Sequence, residues 1–223
     1  MKKKNLIIFG NTGFAEIAYH YFNSTEEYQV TAFTVNKDFN SKNILFNLPV
    51  YDYEDIEKFL NPNLHFFFAA VTYQKMNTFR SSIIDDAKSK GFKLASFISK
   101  NSFIGPEVKI GEHCFIFEGN VIQPYVKLEN NIILWSGNHI GHHTQIYDNC
   151  FISSHVVISG HCQIGKNCFI GVNSTISNNL SLGEYNWIGP SCNISSNTPN
   201  DAIYRQSPAE ISKITSKKFF KII

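Results

Sequence analysis

The sequence predicts a two-part chain: a small Rossmann-like parallel sheet, then a parallel β-helix of hexapeptide repeats. Three observations predict it. From Ile98 to Ile194 every sixth residue is Ile or Leu, over seventeen consecutive positions with no slip. A period of six fits neither a helix nor a strand; it is the period of short strands joined at corners and coiled into a triangular prism. Ahead of that ladder, apolar runs alternate with helical patterns, and the first run ends on Gly10-Asn11-Thr12-Gly13. Strand, glycine turn and helix open a parallel α/β unit. The expected boundaries are 1–95 for the sheet domain, 96–198 for the prism and 199–223 for a tail.

In the front domain, Asn5 to Phe9 reads as the first strand, and Phe14 to Tyr21 has helical spacing with Phe14, Ile17, Ala18 and Tyr21 on one face. Tyr28 to Val35 reads as the second strand and Pro49 to Tyr51 as a short third. Asp52 is placed to cap a helix over Tyr53 to Leu60, with Glu54 and Asp55 at the positive end of its dipole. His65 to Ala70 reads as a buried strand, Asn77 to Lys90 as an amphipathic helix, and Lys93 to Phe97 leads into the ladder. The glycine turn offers N–H groups and a helix N-terminus to a phosphate. It lacks the third glycine of a dinucleotide fingerprint, and the second strand ends Thr34-Val35-Asn36 with no acidic residue, so NAD is disfavoured.

In the ladder, the fourth residue after each aliphatic also points inward and is mostly small. All five cysteines, Cys114, Cys150, Cys162, Cys168 and Cys192, fall at this position. They read as compact interior fillers, with neither zinc spacing nor a disulfide pattern. Asn120 and Asn138 are 18 residues apart, which stacks them on adjacent coils and within hydrogen-bonding reach. Outward-facing Phe117, Trp135, Phe151 and Val157 suggest packing of the prism against other copies.

Composition excludes several classes. The 223 residues are 43% hydrophobic and 17% charged with net charge +2, ordinary for a globular protein. The basic residues gather at the two ends with no basic, aromatic-interleaved stripe, so no nucleic-acid partner is expected. The apolar run Leu6 to Phe9 is too short for a signal peptide, and no run reaches membrane-spanning length, so a cytoplasmic chain with no membrane partner is expected.

Histidine is the main candidate for chemistry. Six of the eight lie in the ladder, and His142 and His143 share one corner. His161, 18 residues after His143, should stack on it one coil along. Such a trio can in principle hold zinc. The zinc-binding β-helix pattern, with two ligands five residues apart, is absent, so no metal is expected.

Gly10-x-x-Gly13 behind a first strand, the unbroken ladder, Gly141-His142 and the stretch from Ile164 to Ser174 together resemble the bacterial nucleotide-sugar N-acetyltransferases with a left-handed β-helix. Sialic acid O-acetyltransferases share the layout, and the resemblance covers nearly the whole chain. It implies a homotrimer with acetyl-CoA in the cleft between neighbouring prisms, along Gly160, His161, Ile164 and Asn173. It implies a nucleotide-linked amino sugar, of dideoxy type, held near Gly10, Asn11, Thr12, Gly13, Phe14 and Asn36. A second ligand loop would carry Tyr73, Asn77 and Arg80. Such enzymes serve surface polysaccharide or glycan synthesis.

The family's general base falls on His142, and Gly160 matches the residue whose N–H faces the thioester oxygen. The chain departs from the pattern in three places. His143 stands where relatives often have Asp or Glu, which keeps His143 open as the base, and Phe14 and Phe151 stand where some relatives have histidine. Two other readings remain: O-acetylation of a sugar or sialic acid, and a non-catalytic trimeric sugar-nucleotide binder. Ser207-Pro208-Ala209 resembles the segment that closes these prisms.

Overall fold

The computed structural model describes residues 2–41 and 43–222. Its first unit is built on β1 (Lys4–Phe9), α1 (Gly13–Asn23) and β2 (Tyr28–Val35), followed by the short β3 (Ile44–Leu45) and β4 (Leu48–Asp52). Next come α2 (Ile56–Phe59), β5 (His65–Ala69), α3 (Thr78–Ser89) and β6 (Lys93–Leu94). The sheet order is β3-β4-β2-β1-β5-β6, parallel except for the β3–β4 hairpin. Leu6, Ile7 and Ile8 on β1 are fully buried, because helices cover both faces of a parallel sheet.

Two local expectations are corrected. The stretch after β4 is not one helix over Tyr53 to Leu60: a 3₁₀ turn over Tyr53–Asp55 precedes a single α-turn, α2. Asp52 does not cap it, because its Oδ1 accepts a hydrogen bond from Asn40 Nδ2 at 2.6 Å. The β3–β4 hairpin was not foreseen; Phe46 and Asn47 turn it with φ of +50° and +61°, the twist that suits a two-residue hairpin loop.

The second unit runs as two-residue strands from Phe97–Ile98 to Asn193–Ile194, all parallel and all six residues apart. They stack into three sheets that enclose a prism, with the ladder aliphatics and the cysteines inside. All five cysteines are buried and free. The thiols of Cys114, Cys150, Cys162 and Cys168 donate to carbonyls of the next coil, as from Cys150 Sγ to Gly165 O at 3.1 Å. Asn120 and Asn138 do bond across coils, from the Asn138 backbone N–H to Asn120 Oδ1 at 3.2 Å. One further strand, Ile203–Tyr204, pairs with Trp187–Ile188, so the tail beyond 198 supplies an extra rung.

The corners explain much of the ladder's composition. From Glu107 to Ser191 every sixth residue has positive φ, fifteen corners in succession. That conformation costs an ordinary L-residue roughly 1–2 kcal/mol. Asn, His and Gly tolerate it best and fill eleven of the fifteen corners.

The three prism faces differ in what they present. Phe97, Phe115, Ile133, Phe151, Phe169 and Trp187 point outward from the first face; Phe97 and Phe115 pack on Tyr21 and Phe22 of α1, Phe151 and Phe169 on Tyr73 of the loop after β5, and Trp187 stacks on Phe169. Phe117, Trp135 and Phe151 therefore do not await another copy: the chain's own first unit covers them. Of the four residues expected on a free surface only Val157 is there, 40% exposed on the second face, which also carries Phe103, 56% exposed, three strands away. The third face carries Lys109, Lys127, Gln145, Gln163 and Ser181 and is polar.

The two units are also joined by buried polar groups. Arg80 is fully buried, and its guanidinium donates to seven oxygens, among them Asn131 Oδ1 at 2.7 Å and Thr72 O at 2.7 Å. Burial pulls its pKa down to about 9. His113 accepts from the Ala69 N–H at 2.9 Å through Nε2 and meets Asn131 Oδ1 at 3.0 Å through Nδ1. Burial first, and the nearby Arg80 charge second, push the His113 pKa down to about 3. Asn77 Nδ2 donates to Cys168 O on the prism.

Candidate functional site

Two places gather the chemistry. The first is a pocket of about 490 Å³ at the carboxyl ends of β1, β2 and β5, lined by Gly10, Asn11, Thr12, Asn36, Thr72, Gln74 and Lys75 among others. β1 pairs with β2 on one side and β5 on the other, so the winding reverses there, where open α/β sheets bind ligands. Thr12, the N-cap of α1, lines the pocket and makes no side-chain cap bond, so the N–H groups of Gly13 and Phe14 in the first turn have no partner among the described residues. Gly10 has φ of +125°, and a β-carbon there would stand 3.1 Å from Ala70 O, so the turn requires glycine.

Of the residues expected at a sugar-nucleotide site, Gly10, Asn11, Thr12 and Asn36 line this pocket. Gly13 opens α1 with free space around it. The Phe14 side chain is buried against Phe68, Phe115 and Trp135, so it holds the core together and does not line the pocket. Asn77 and Arg80 are likewise corrected: both are fully buried and committed to joining the two units. Tyr73 is 47% exposed, but its ring lies on Phe151 and Phe169 of the prism, outside the pocket. The sequence points to the loop from Tyr73 to Arg80 as a ligand loop, but the residues that line the pocket are Gln74 and Lys75 within it and Thr72 just before it. The signal was present in their position directly after a buried strand. Lys75, Met76 and Asn77 form three successive left-handed residues, with φ of +48°, +50° and +67°. Buried Asn77 and Arg80 anchor this turn and hold Lys75 at the pocket.

The second place is the exposed corner between the second and third prism faces. The segment Gly141-His142-His143 turns there between the strands His139–Ile140 and Gln145–Ile146. The His142 N–H donates to Gln123 Oε1 at 2.9 Å. His142 Nδ1 lies 3.1 Å from His143 Nδ1. His143 is the left-handed corner residue, φ +59°, and its ring stacks between Tyr125 at 4.7 Å and His161 at 4.8 Å. The expected stacking of His161 on His143 is therefore present. The His142 ring stands perpendicular to both and lies over Gly160. The Gly160 N–H donates to no backbone carbonyl among the described residues.

One nitrogen from each of His142, His143 and His161 lies within 4.8 Å of the others, close enough to suggest a metal. The planes of His143 and His161 are only 14° apart, however, so their in-plane lone pairs run side by side and do not converge. Asn173 is exposed at another corner, φ +58°. Ile164 is fully buried among the ladder aliphatics, which leaves only its backbone for contact with a cofactor.

The bacterial transferase hexapeptide (six repeats) family matches residues 143–178. No curated protein matches the chain by sequence. Solved structures match it nearly end to end. The acetyltransferase domain of PglB from Neisseria gonorrhoeae is 20% identical with a TM-score of 0.80, over 90% of this chain and 96% of that one. A histidine-to-asparagine variant of perosamine N-acetyltransferase from Caulobacter crescentus, in complex with CoA and GDP-perosamine, is 18% identical with a TM-score of 0.81, over 89% and 92%. WeeI from Acinetobacter baumannii is 17% identical with a TM-score of 0.68, over 90% and 96%. No helix among the described residues is long and apolar enough to cross a membrane. The chain has the fold of these proteins, a small parallel-sheet domain joined to a left-handed β-helix of hexapeptide repeats.

Proposed function

We propose that the chain is an acetyl-CoA-dependent N-acetyltransferase acting on the amine of a nucleotide-linked amino sugar, with His142 as general base. The observation that carries this reading is the His142 corner: an exposed imidazole lying over Gly160, its backbone N–H held by Gln123, on the same fold as several acetyltransferases. One such structure is described with acetyl coenzyme A, and others with CoA and GDP-perosamine. Two of the Caulobacter structures are variants of one histidine, to Asn and to Ala.

In this reading the sugar nitrogen attacks the thioester carbonyl while His142 Nε2 removes its proton. The carbon–sulfur bond then breaks, and the proton passes to the departing CoA thiolate. A positioned base of this kind contributes roughly 10²–10⁴-fold. The Gly160 N–H would stabilise the developing oxyanion without reorganising. The nucleotide diphosphate would sit at the Gly10–Gly13 turn with Lys75 as the facing cation. The functional unit would be a cytoplasmic homotrimer that places a neighbouring prism beside the His142 corner, with acetyl-CoA lying between them.

The test is thiol release from acetyl-CoA against a panel of UDP-, dTDP- and GDP-linked amino sugars. Acetylation of one amino sugar with a kcat above 1 s⁻¹, as is common for enzymes, is expected, at roughly that order. A hydroxyl-only sugar accepted in preference to every amino sugar would convert the reading to O-acetylation. Binding of nucleotide sugar with no thiol release from any of them would leave a binding protein.

A further inference from the structure

Base catalysis by His142 requires that its Nε2 carry no proton, which requires a group that accepts from its Nδ1–H. No carboxylate follows His142 in the sequence; His143 does. The two Nδ1 atoms are 3.1 Å apart, so one proton lies between them. If His143 donated that proton, His142 would hold its own proton on Nε2 and could not act. If His142 donates, its Nε2 is bare, and His143 keeps a proton on Nε2, where its exposed ring meets water.

We propose that the three-ring column Tyr125–His143–His161 replaces the missing carboxylate as the device that sets the tautomer and orientation of His142. This rests on the reading of His142 as the base. An acceptor can fix a tautomer only if it is itself held in place. His143 is held by its left-handed corner backbone and by a ring on each side, Tyr125 at 4.7 Å and 28°, and His161 at 4.8 Å and 14°. These residues are 18 apart, one per coil, so the ladder's own period builds the column. The His142 backbone is fixed separately by Gln123. When His142 takes a proton from substrate, the Nδ1–H bond to neutral His143 becomes charge-assisted and shortens. His143 and Tyr125 are thus positioning residues, acting through His142.

The deciding experiment is ¹⁵N NMR of the imidazoles at about pH 8, above the ordinary histidine pKa, combined with steady-state kinetics. In the wild type, His142 is expected to carry its proton on Nδ1. His143→Gly removes the ring while still suiting the left-handed corner. It should move the His142 proton to Nε2 and lower kcat roughly ten- to a hundredfold with KM unchanged. His143→Asp should restore both, since a carboxylate accepts at the same place and Asp tolerates the corner. Tyr125→Leu should shift both readouts in the same direction as His143→Gly. A wild-type His142 protonated on Nε2, or a tautomer indifferent to His143→Gly, would overturn the proposal. The NMR readout needs no turnover, so failure of the acetyltransferase reading would show separately, as absent activity with the tautomer shift intact.

Discussion

The His142 ring and the Gly160 backbone are in contact across adjacent coils: a β-carbon on Gly160 would stand 2.9 Å from both Cε1 and Nε2 of the ring. The glycine there is what lets the imidazole lie in its present position. Gly160→Ala should leave thermal stability almost unchanged, because the exposed ring can rotate away. It should lower kcat by at least about tenfold through the displaced base. A Gly160→Ala enzyme with normal turnover would mean that the ring position seen here is not the working one.

His142→Ala and His142→Asn should each lower kcat by roughly 10²–10⁴, with circular dichroism and acetyl-CoA binding retained. The side chain is exposed at a corner and supports little of the fold. If His143→Gly gave the large loss and His142→Ala a small one, the roles of the two residues would be exchanged.

Gly13 offers a clean test of the nucleotide turn. Space for a β-carbon is open there, and its φ is ordinary, so Gly13→Ala should fold as well as the wild type. Should a diphosphate sit against the α1 N-terminus, the added methyl would enter its space and raise the KM for sugar nucleotide about tenfold or more, leaving the KM for acetyl-CoA unmoved. Equal KM values for both proteins would place the phosphate elsewhere.

Acid stability should report on His113. Its folded pKa, about 3, lies below the ordinary value of 6.5, so the unfolded chain binds the extra proton first. Stability from this residue is therefore full above pH 6.5 and is lost as pH falls from there toward 3. The loss is of the order of a few kcal/mol. His113→Gln should be less stable at pH 7 but flatter between those limits in thermal melts. A parallel pair of melting curves against pH would remove His113 from the account.

In the proposed trimer, the second prism face is where a neighbouring copy would pack. Phe103, Val121 and Val157 stand exposed on it, while the first face is covered by the chain itself and the third is polar. Val157→Asp should convert a trimer to monomer by light scattering at micromolar concentration, and activity should fall with it. A wild-type monomer would remove the proposed cleft.

What the sequence disclosed and what it hid divide along a physical line. The six-residue period fixes where each ladder side chain points, so the buried cysteines, the Asn120–Asn138 contact and the His143–His161 stack were all readable. The period cannot say what covers an outward side chain. Phe151 and Trp135 look the same on paper whether another copy or the chain's own first unit lies against them. Arg80 and Asn77 were misread for a related reason: their partners, Asn131 and Cys168, lie 51 and 91 residues further on. A buried arginine held by distant carbonyls leaves no local trace. His113 looked like one more corner histidine, and only docking of the first unit turns it into a buried acceptor. Corner geometry also separates the two adjacent histidines after the fact. His143 has a backbone reason to be histidine, and His142 has none.

From Phe97 to Ile194 the coils admit not a single inserted residue, so no loop overhangs the histidine corner. A corner without loops has no lid of its own. Under the proposed function, exclusion of water from the thioester would then come from outside the prism, from the wall of an adjacent copy or from the exposed segment beyond Tyr204 folding across it. Turnover would accordingly be governed by how fast those borrowed walls admit and release CoA. Variation in acyl-chain length among such proteins should be written in the tail and the neighbouring face, leaving the coils themselves unchanged.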